Sequence, residues 1–178
     1  MVFVLALMGG AVQAEEFSMD EVKAVYLLNF TNYIIWPEEE FSNPIAPFNY
    51  CLFNGDSLIK EPLVEALQGE VVEQHNIQLN IISSIPTVKD CQVLYIDKQQ
   101  GLHVSDILLE LAGAAVLTVS DMTGFAEAGG GIELISKTGR VKLLINVKKV
   151  NEARLDVSSK LLRVADLIND ADVGDEPW

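Results

Sequence analysis

Basic residues are scarce. The 178-residue chain holds 12 Lys and Arg against 26 Asp and Glu, a formal net charge of −14. A surface this acidic repels phosphate backbones and anionic headgroups, which argues against nucleic-acid binding and against an electrostatic hold on a membrane. Histidine is rarer still. His75 and His103 have no sequence-local ligand or base partner, and both read as surface residues. No H-E-x-x-H, G-x-S-x-G or C-x-x-C occurs, so zincin, hydrolase and thioredoxin-type chemistry lack their residues. Gly129-Gly130-Gly131 precedes a strand-like run instead of opening a helix, so it is no dinucleotide fingerprint and reads as a tight turn into that strand. The expectation is a protein without catalytic residues, metal or cofactor.

What remains is an ordinary globular composition, with 49% hydrophobic and 21% charged residues, enough for one domain with one core. Residues 1–14 (MVFVLALMGGAVQA) carry no charged side chain. Val2 to Met8 forms an apolar h-region and Val12-Gln13-Ala14 a small-residue cleavage site, although a positive n-region is missing. The stretch is shorter than the ~20 apolar residues that span a bilayer. Residues 1–14 are therefore read as a signal peptide, 15–170 as a single α/β domain and 171–178 as an acidic tail, with no membrane insertion after cleavage. Export gives the two cysteines, Cys51 and Cys91, an oxidising compartment, where an even count favours a disulfide. Closing a loop of ~40 residues contributes roughly 4 kcal/mol on the chain-entropy argument.

Periodicity sets the element order. Ser18-Met19-Asp20-Glu21 is a capping box, and Val22, Val25, Tyr26, Phe30, Tyr33 and Ile34 follow at helical spacing, predicting an amphipathic helix up to Trp36, where Pro37 limits it. Strands are predicted over 48–53, 77–81, 93–96 and 114–119, with helices over 56–67, 104–111 and, after Ser120-Asp121, through Ala128. Ile132–Ile135 and Val141–Val147 predict a hairpin turning at Gly139, and Ser158 a last helix that buries Leu161, Leu162, Ala165 and Ile168. Alternating strands and helices predict an α/β sandwich with a largely parallel central sheet and an antiparallel hairpin near the C-terminus.

Ligands of open α/β sheets gather at the carboxyl ends of the strands. Asn54, Asp56, Asp97, Ser120 and Asp121 fall there and form a candidate ligand crevice. The order Asp56, Asp97, Ser120, Lys137 imitates a phospho-receiver domain, but Asn54 stands where such a domain needs a second acid for Mg²⁺. Trp36 beside Pro37 reads as a cap on the core.

Several blocks resemble one family. Val22 to Phe30, with Tyr33 and Trp36-Pro37, is similar to the N-terminal block of YfiR-like periplasmic proteins. Cys51-Leu52-Phe53 resembles their first strand, and Cys91 to Ile96 their next cysteine-bearing strand. Leu117 to Asp121, Phe125-Ala126 and Gly129-Gly130 resemble the family's most specific segment, and Ile145-Asn146 with Leu155 to Leu162 complete the match. The resemblance implies an exported, often dimeric regulator. Its partner would be the periplasmic sensor part of an inner-membrane diguanylate cyclase, held off so that cyclic-di-GMP stays low and biofilm formation is restrained. A histidine kinase is the alternative partner, with the domain acting as a periplasmic small-ligand sensor. Cys51 and Cys91 would be the family disulfide.

Overall fold

The computed structural model describes residues 17–55 and 57–168. The segment read as a signal peptide (1–14), Asp56 and the acidic tail (171–178) lie outside them. Helix α1 (Met19–Phe30) starts at the capping box: Ser18 Oγ accepts from the Glu21 amide, and Glu21 accepts from the Ser18 amide. It ends earlier than its periodicity predicts. Three i+3 turns at Thr31, Asn32 and Tyr33 close it, and Ile34–Ile35 becomes strand β1. Two β-branched residues ahead of Trp36-Pro37 favour extended backbone. The buried face also differs from the predicted one, since Lys23, Ala24, Leu27 and Phe30 turn inward while Val25 is exposed.

The chain continues through β2 (Phe48–Phe53), α2 (Lys60–Leu67), β3 (Val71–Val72), β4 (His75–Ile82), β5 (Val93–Ile96), α3 (Val104–Glu110) and β6 (Leu117–Ser120). It ends with β7 (Ile132–Lys137), β8 (Arg140–Asn146), α4 (Val147–Glu152), β9 (Asp156–Val157), α5 (Ser159–Leu162) and β10 (Asp166–Ile168). Eight strands form one sheet in the order β10-β8-β7-β6-β5-β2-β4-β3. Its centre, β4-β2-β5-β6-β7, is parallel; β8 runs antiparallel to β7, and β3 antiparallel to β4. A separate two-stranded ribbon joins β1 to β9. The fold is the expected α/β sandwich.

Three elements differ from expectation. The segment after Ser120 is a series of turns, because Gly124 at φ 80° interrupts any helix. The helix expected from Asp56 starts at Lys60. The C-terminal helix is a single turn, and Leu167 and Ile168 leave it to pair with β8. An unfilled sheet edge outweighed helical spacing there.

The sheet is covered on both faces. Leu27 and Phe30 of α1 and Leu63 of α2 pack on Phe48, Tyr50, Leu52, Val93 and Tyr95. On the other face Val88, Ile107 and Leu111 pack on Phe53, Leu94 and Ile96. Alternate residues of each strand serve opposite layers, so β5 reads as an unbroken apolar run. The Cys51–Cys91 disulfide sits in the second layer with Cα atoms 5.8 Å apart. Parallel pairing of β2 with β5, Cys51 opposite Leu94, brings the two cysteines together.

Candidate functional site

The chain leaves β2 for β4 on one side and returns to β5 on the other, so the sheet switches direction between β2 and β5. The carboxyl ends of these strands are the expected place for a ligand. Side chains of the protein fill it instead. Asn54, at φ 52°, donates from Nδ2 to Gln100 Oε1 at 2.8 Å. Ser57 donates a short bond to Asp97 Oδ2, and Asp97 Oδ1 accepts the Gln99 amide at 2.9 Å, capping the 3₁₀ turn that follows β5. Ser120 is wholly buried; it donates to the Ile96 carbonyl at 2.6 Å and accepts the Met122 amide at 3.1 Å. The Asn54–Gln100, Ser57–Asp97 and Ser120–Ile96 bonds each tie the end of one strand to its neighbour.

The open recess lies one strand further along. β7 pairs with β6 only at Val119 and Ser120 and then runs beyond it, so Glu133 to Ser136 make a wall. The first turn of α1 makes the opposite wall, and Asp97 to Gln99 with Asp121 and Thr123 form the floor. The cavity measures about 530 Å³. Of the five crevice residues, Asp97 and Asp121 line it, Ser120 is buried beneath, Asn54 faces Gln100, and Asp56 is outside the described residues. A second recess of about 470 Å³, between α3 and α4, takes in Leu108, Gly129 and Lys149 and none of the five.

One functional group in the recess escaped sequence reasoning. Lys23 projects from α1 and binds Asp121 Oδ2 at 2.8 Å and Asp20 Oδ1 at 3.0 Å. Its side chain is 6% exposed and that of Asp121 is 7% exposed. Asp121 Oδ1 also accepts the Lys98 amide at 3.2 Å, and the Lys98 ammonium stands 4.0 Å from Oδ2. Burial disfavours both charges, but their mutual contacts outweigh it: Lys23 is held above the usual lysine range and Asp121 below the usual carboxylate range. Beneath them, burial and then the Asp121 and Asp97 carboxylates push the Tyr95 phenol upward. A lone lysine on an otherwise apolar helix face was the signal available, and no local motif pairs it with a residue 98 positions away.

The remaining singled-out residues are structural. Trp36 donates from Nε1 to the Gln92 carbonyl at 3.0 Å and meets Phe48 edge-on. His75 is not a surface residue as expected: it is buried, stacked on Phe41 with centroids 4.0 Å apart, with Nδ1 2.6 Å from the Ala46 carbonyl. His103 is exposed. A Cβ on Gly130 would lie 2.1 Å from the Phe125 ring, and the Gly131 amide donates to Thr118 Oγ1 at 2.8 Å. Asn146 donates to the Ala126 carbonyl and accepts the Lys149 amide, capping α4. Among the described residues no group of His, Cys, Asp and Glu is arranged to hold a metal ion, and no helix is long and apolar enough to cross a membrane.

Fold and recess define an α/β domain whose strand-end polar groups bind one another beside a polar cavity. The chain belongs to the YfiR/HmsC-like family, whose model matches residues 20–166. The family is one of periplasmic, non-catalytic regulators of cyclic-di-GMP signalling. No curated protein matches the chain. A solved structure described as the ABC domain in complex with L-Trp from Streptococcus pneumonia is similar in fold, with a TM-score of 0.54 at 10% identity. The match covers 82% of this chain and 60% of that one, and at this identity it speaks for the α/β fold alone.

Proposed function

We propose that this domain, exported through its N-terminal segment, binds the periplasmic sensor part of an inner-membrane diguanylate cyclase and holds the cyclase inactive. The family match over residues 20–166 carries the reading. The site chemistry agrees with it: Lys23 neutralises Asp121, and Asp97 is held by the Ser57 hydroxyl and the Gln99 amide, as suits a scaffold for contact more than a reaction centre. Repression follows if the domain prefers the inactive sensor. Moving a 1:99 equilibrium to 99:1 takes roughly 5.5 kcal/mol of differential affinity. The mature domain would stay soluble in the periplasm.

The test is cellular cyclic-di-GMP in the native host with and without the gene. Deletion should raise it, and complementation should restore it with the full chain but not with a chain lacking residues 1–14. No change on deletion would sink the cyclase reading. A second reading rests on the recess: a cavity of about 530 Å³ lined by Asp20, Asp97, Asp121 and Glu133 against Lys23 and Lys98 suits a small zwitterionic or cationic periplasmic ligand, the domain then acting with a sensor kinase. A ligand at 100 times its Kd raises stability by ~2.7 kcal/mol, so a thermal-shift screen of small metabolites separates the two.

A further inference from the structure

A third recess lies at the amino ends of β2 and β4, the end of the sheet opposite the strand-end groups. After β1 the chain runs through Trp36-Pro37 and a single 3₁₀ turn at Glu38–Glu40, and then folds back over the start of β4. A cavity of about 350 Å³ lies between that loop and the turn joining β3 to β4. Trp36, Phe41 and His75 line it, with Glu38 from the loop and Glu73 from the turn. No lysine or arginine lines it among the described residues, and its other polar side chains are neutral amides. The volume falls at the small end of ligand sites, roughly 300–1,000 Å³, which combine an apolar lining with a few polar groups.

The fold leaves three acceptors in this cavity without a protein partner. His75 holds the loop through Nδ1, which faces the Ala46 carbonyl at 2.6 Å. A carbonyl oxygen only accepts, so in the neutral ring Nδ1 carries the proton and Nε2 the lone pair. No hydrogen bond among the described residues reaches Nε2, and no fully buried side-chain nitrogen or oxygen among them lacks a partner, so Nε2 keeps contact with solvent. Arg154 pairs with Glu39 and Glu40 and leaves Glu38 without an ion pair among the described residues. Glu73 has none either, and its backbone is left-handed at φ 55°. Glycine, asparagine and aspartate are the ordinary occupants of that conformation, so the turn by itself does not call for a glutamate.

Two carboxylates and a ring lone pair beside aromatic rings repel an anion and attract a cation, through charge and through the negative faces of the rings. Hydrogen-bond donors on that cation would satisfy the free acceptors. We propose that this recess binds a small organic ammonium, a primary amine on a compact apolar body. The ammonium meets Glu38, Glu73 and His75 Nε2, and the body packs on Trp36 and Phe41. The site is separate from the recess of Lys23 and Asp121, so it stands or falls independently of both readings of function above.

The test is a titration of benzylamine into the full chain carrying Trp178→Phe, which leaves Trp36 as the one tryptophan and so as a reporter in the wall of the cavity. A saturable change in its fluorescence is expected at low ionic strength. Benzoate, similar in shape and opposite in charge, should give none. Benzyltrimethylammonium keeps the charge and lacks N–H groups, and should bind about tenfold more weakly or worse. Glu38→Gln with Glu73→Gln should raise the Kd for benzylamine by about tenfold or more, with an unchanged circular dichroism spectrum because both side chains are exposed. No saturable change with benzylamine overturns the proposal. So does benzoate or benzyltrimethylammonium binding as well as benzylamine, or a folded double variant with the same Kd. If the double variant does not fold, the comparison of the three ligands decides alone.

Discussion

Replacing Lys23 with Met keeps most of the aliphatic stem inside α1's buried face and removes the ammonium. Asp121 would then stay buried with the Lys98 amide at 3.2 Å and a more distant Lys98 ammonium as its remaining partners. Breaking a buried ion pair from one side costs about 3–5 kcal/mol. The retained amide bond and the partly exposed Asp20 place this case near the lower bound, about 3 kcal/mol. Equilibrium urea unfolding, followed by the fluorescence of buried Trp36, reads the difference. Its pH dependence is the sharper signature. In the wild type Asp121 is held low, so its contribution is present above the unfolded carboxylate value of about 3.9 and is lost as pH falls through the folded value. Lys23 is held high, so its contribution is full below about 10.4 and is lost as pH rises through the folded value. In Lys23→Met, burial without the ammonium pushes Asp121 up, so protonation relieves the variant while it harms the wild type. The gap between the two should shrink as pH falls toward 4. A gap under about 1 kcal/mol at pH 7, or one that does not change with pH, would refute the reasoning, because it would mean that Asp121 is effectively solvated.

Two further perturbations probe other parts of the fold. Substituting both Cys51 and Cys91 with Ala opens a loop of 40 residues and should cost roughly 4 kcal/mol. At about 2–4 °C per kcal/mol for a domain of this size, Tm should fall by about 8–16 °C; a fall of a degree or two in calorimetry would show the crosslink to be incidental. Gly130→Ala should be far more damaging than Gly139→Ala. The first drives a methyl into the Phe125 ring, an overpacking of about 1–3 kcal/mol or more, while the second meets open space and only the strain of φ 72°, about 1 kcal/mol. Equal losses in urea unfolding would contradict the close approach at Gly130.

How much of this was legible in the sequence depends on whether the cause is local. The capping box at Ser18, the buried runs of β5 and β6 and the turn at Gly139 are decided within a few residues, and the structure has them within a residue or two of expectation, apart from a late start to β6. Ile34-Ile35 and Leu167-Ile168 were misread as helical because their partners, Asp156-Val157 and Ile145-Asn146, are elsewhere in the chain. His75 was misread for the same reason, since Phe41 and Ala46 reach it only once the loop after β1 folds back. At the site, Asn54, Asp97, Ser120 and Asp121 are at the end of the sheet predicted from topology. Their hydrogen bonds to Ser57, Gln99 and Gln100 close the switch point, and the open cavity moved toward β7. Phe125, Gly130 and Asn146, within blocks that resemble the family, are held by packing and capping, so those positions report the fold more than a partner.

The β1–β9 ribbon has a consequence for the order of events in folding. Ile34 and Ile35 pair with Val157 and Asp156, the Tyr33 carbonyl accepts the Ser158 amide at 2.7 Å, and Tyr26 reaches the Val141 carbonyl. The strand that follows the first helix therefore finds its partner in nearly the last segment of the domain to leave a ribosome or a translocation channel. Until residue 158 has emerged, α1 can pack on β2 and α2, but Ile34–Ile35 at its exit has no strand to pair with. Emergence from the N-terminus thus delivers a chain whose leading end waits for its trailing end. A chain stopped short of β9 would carry every strand of the parallel centre and still present α1 unlatched, which is the kind of half-finished surface that folding factors and proteases recognise.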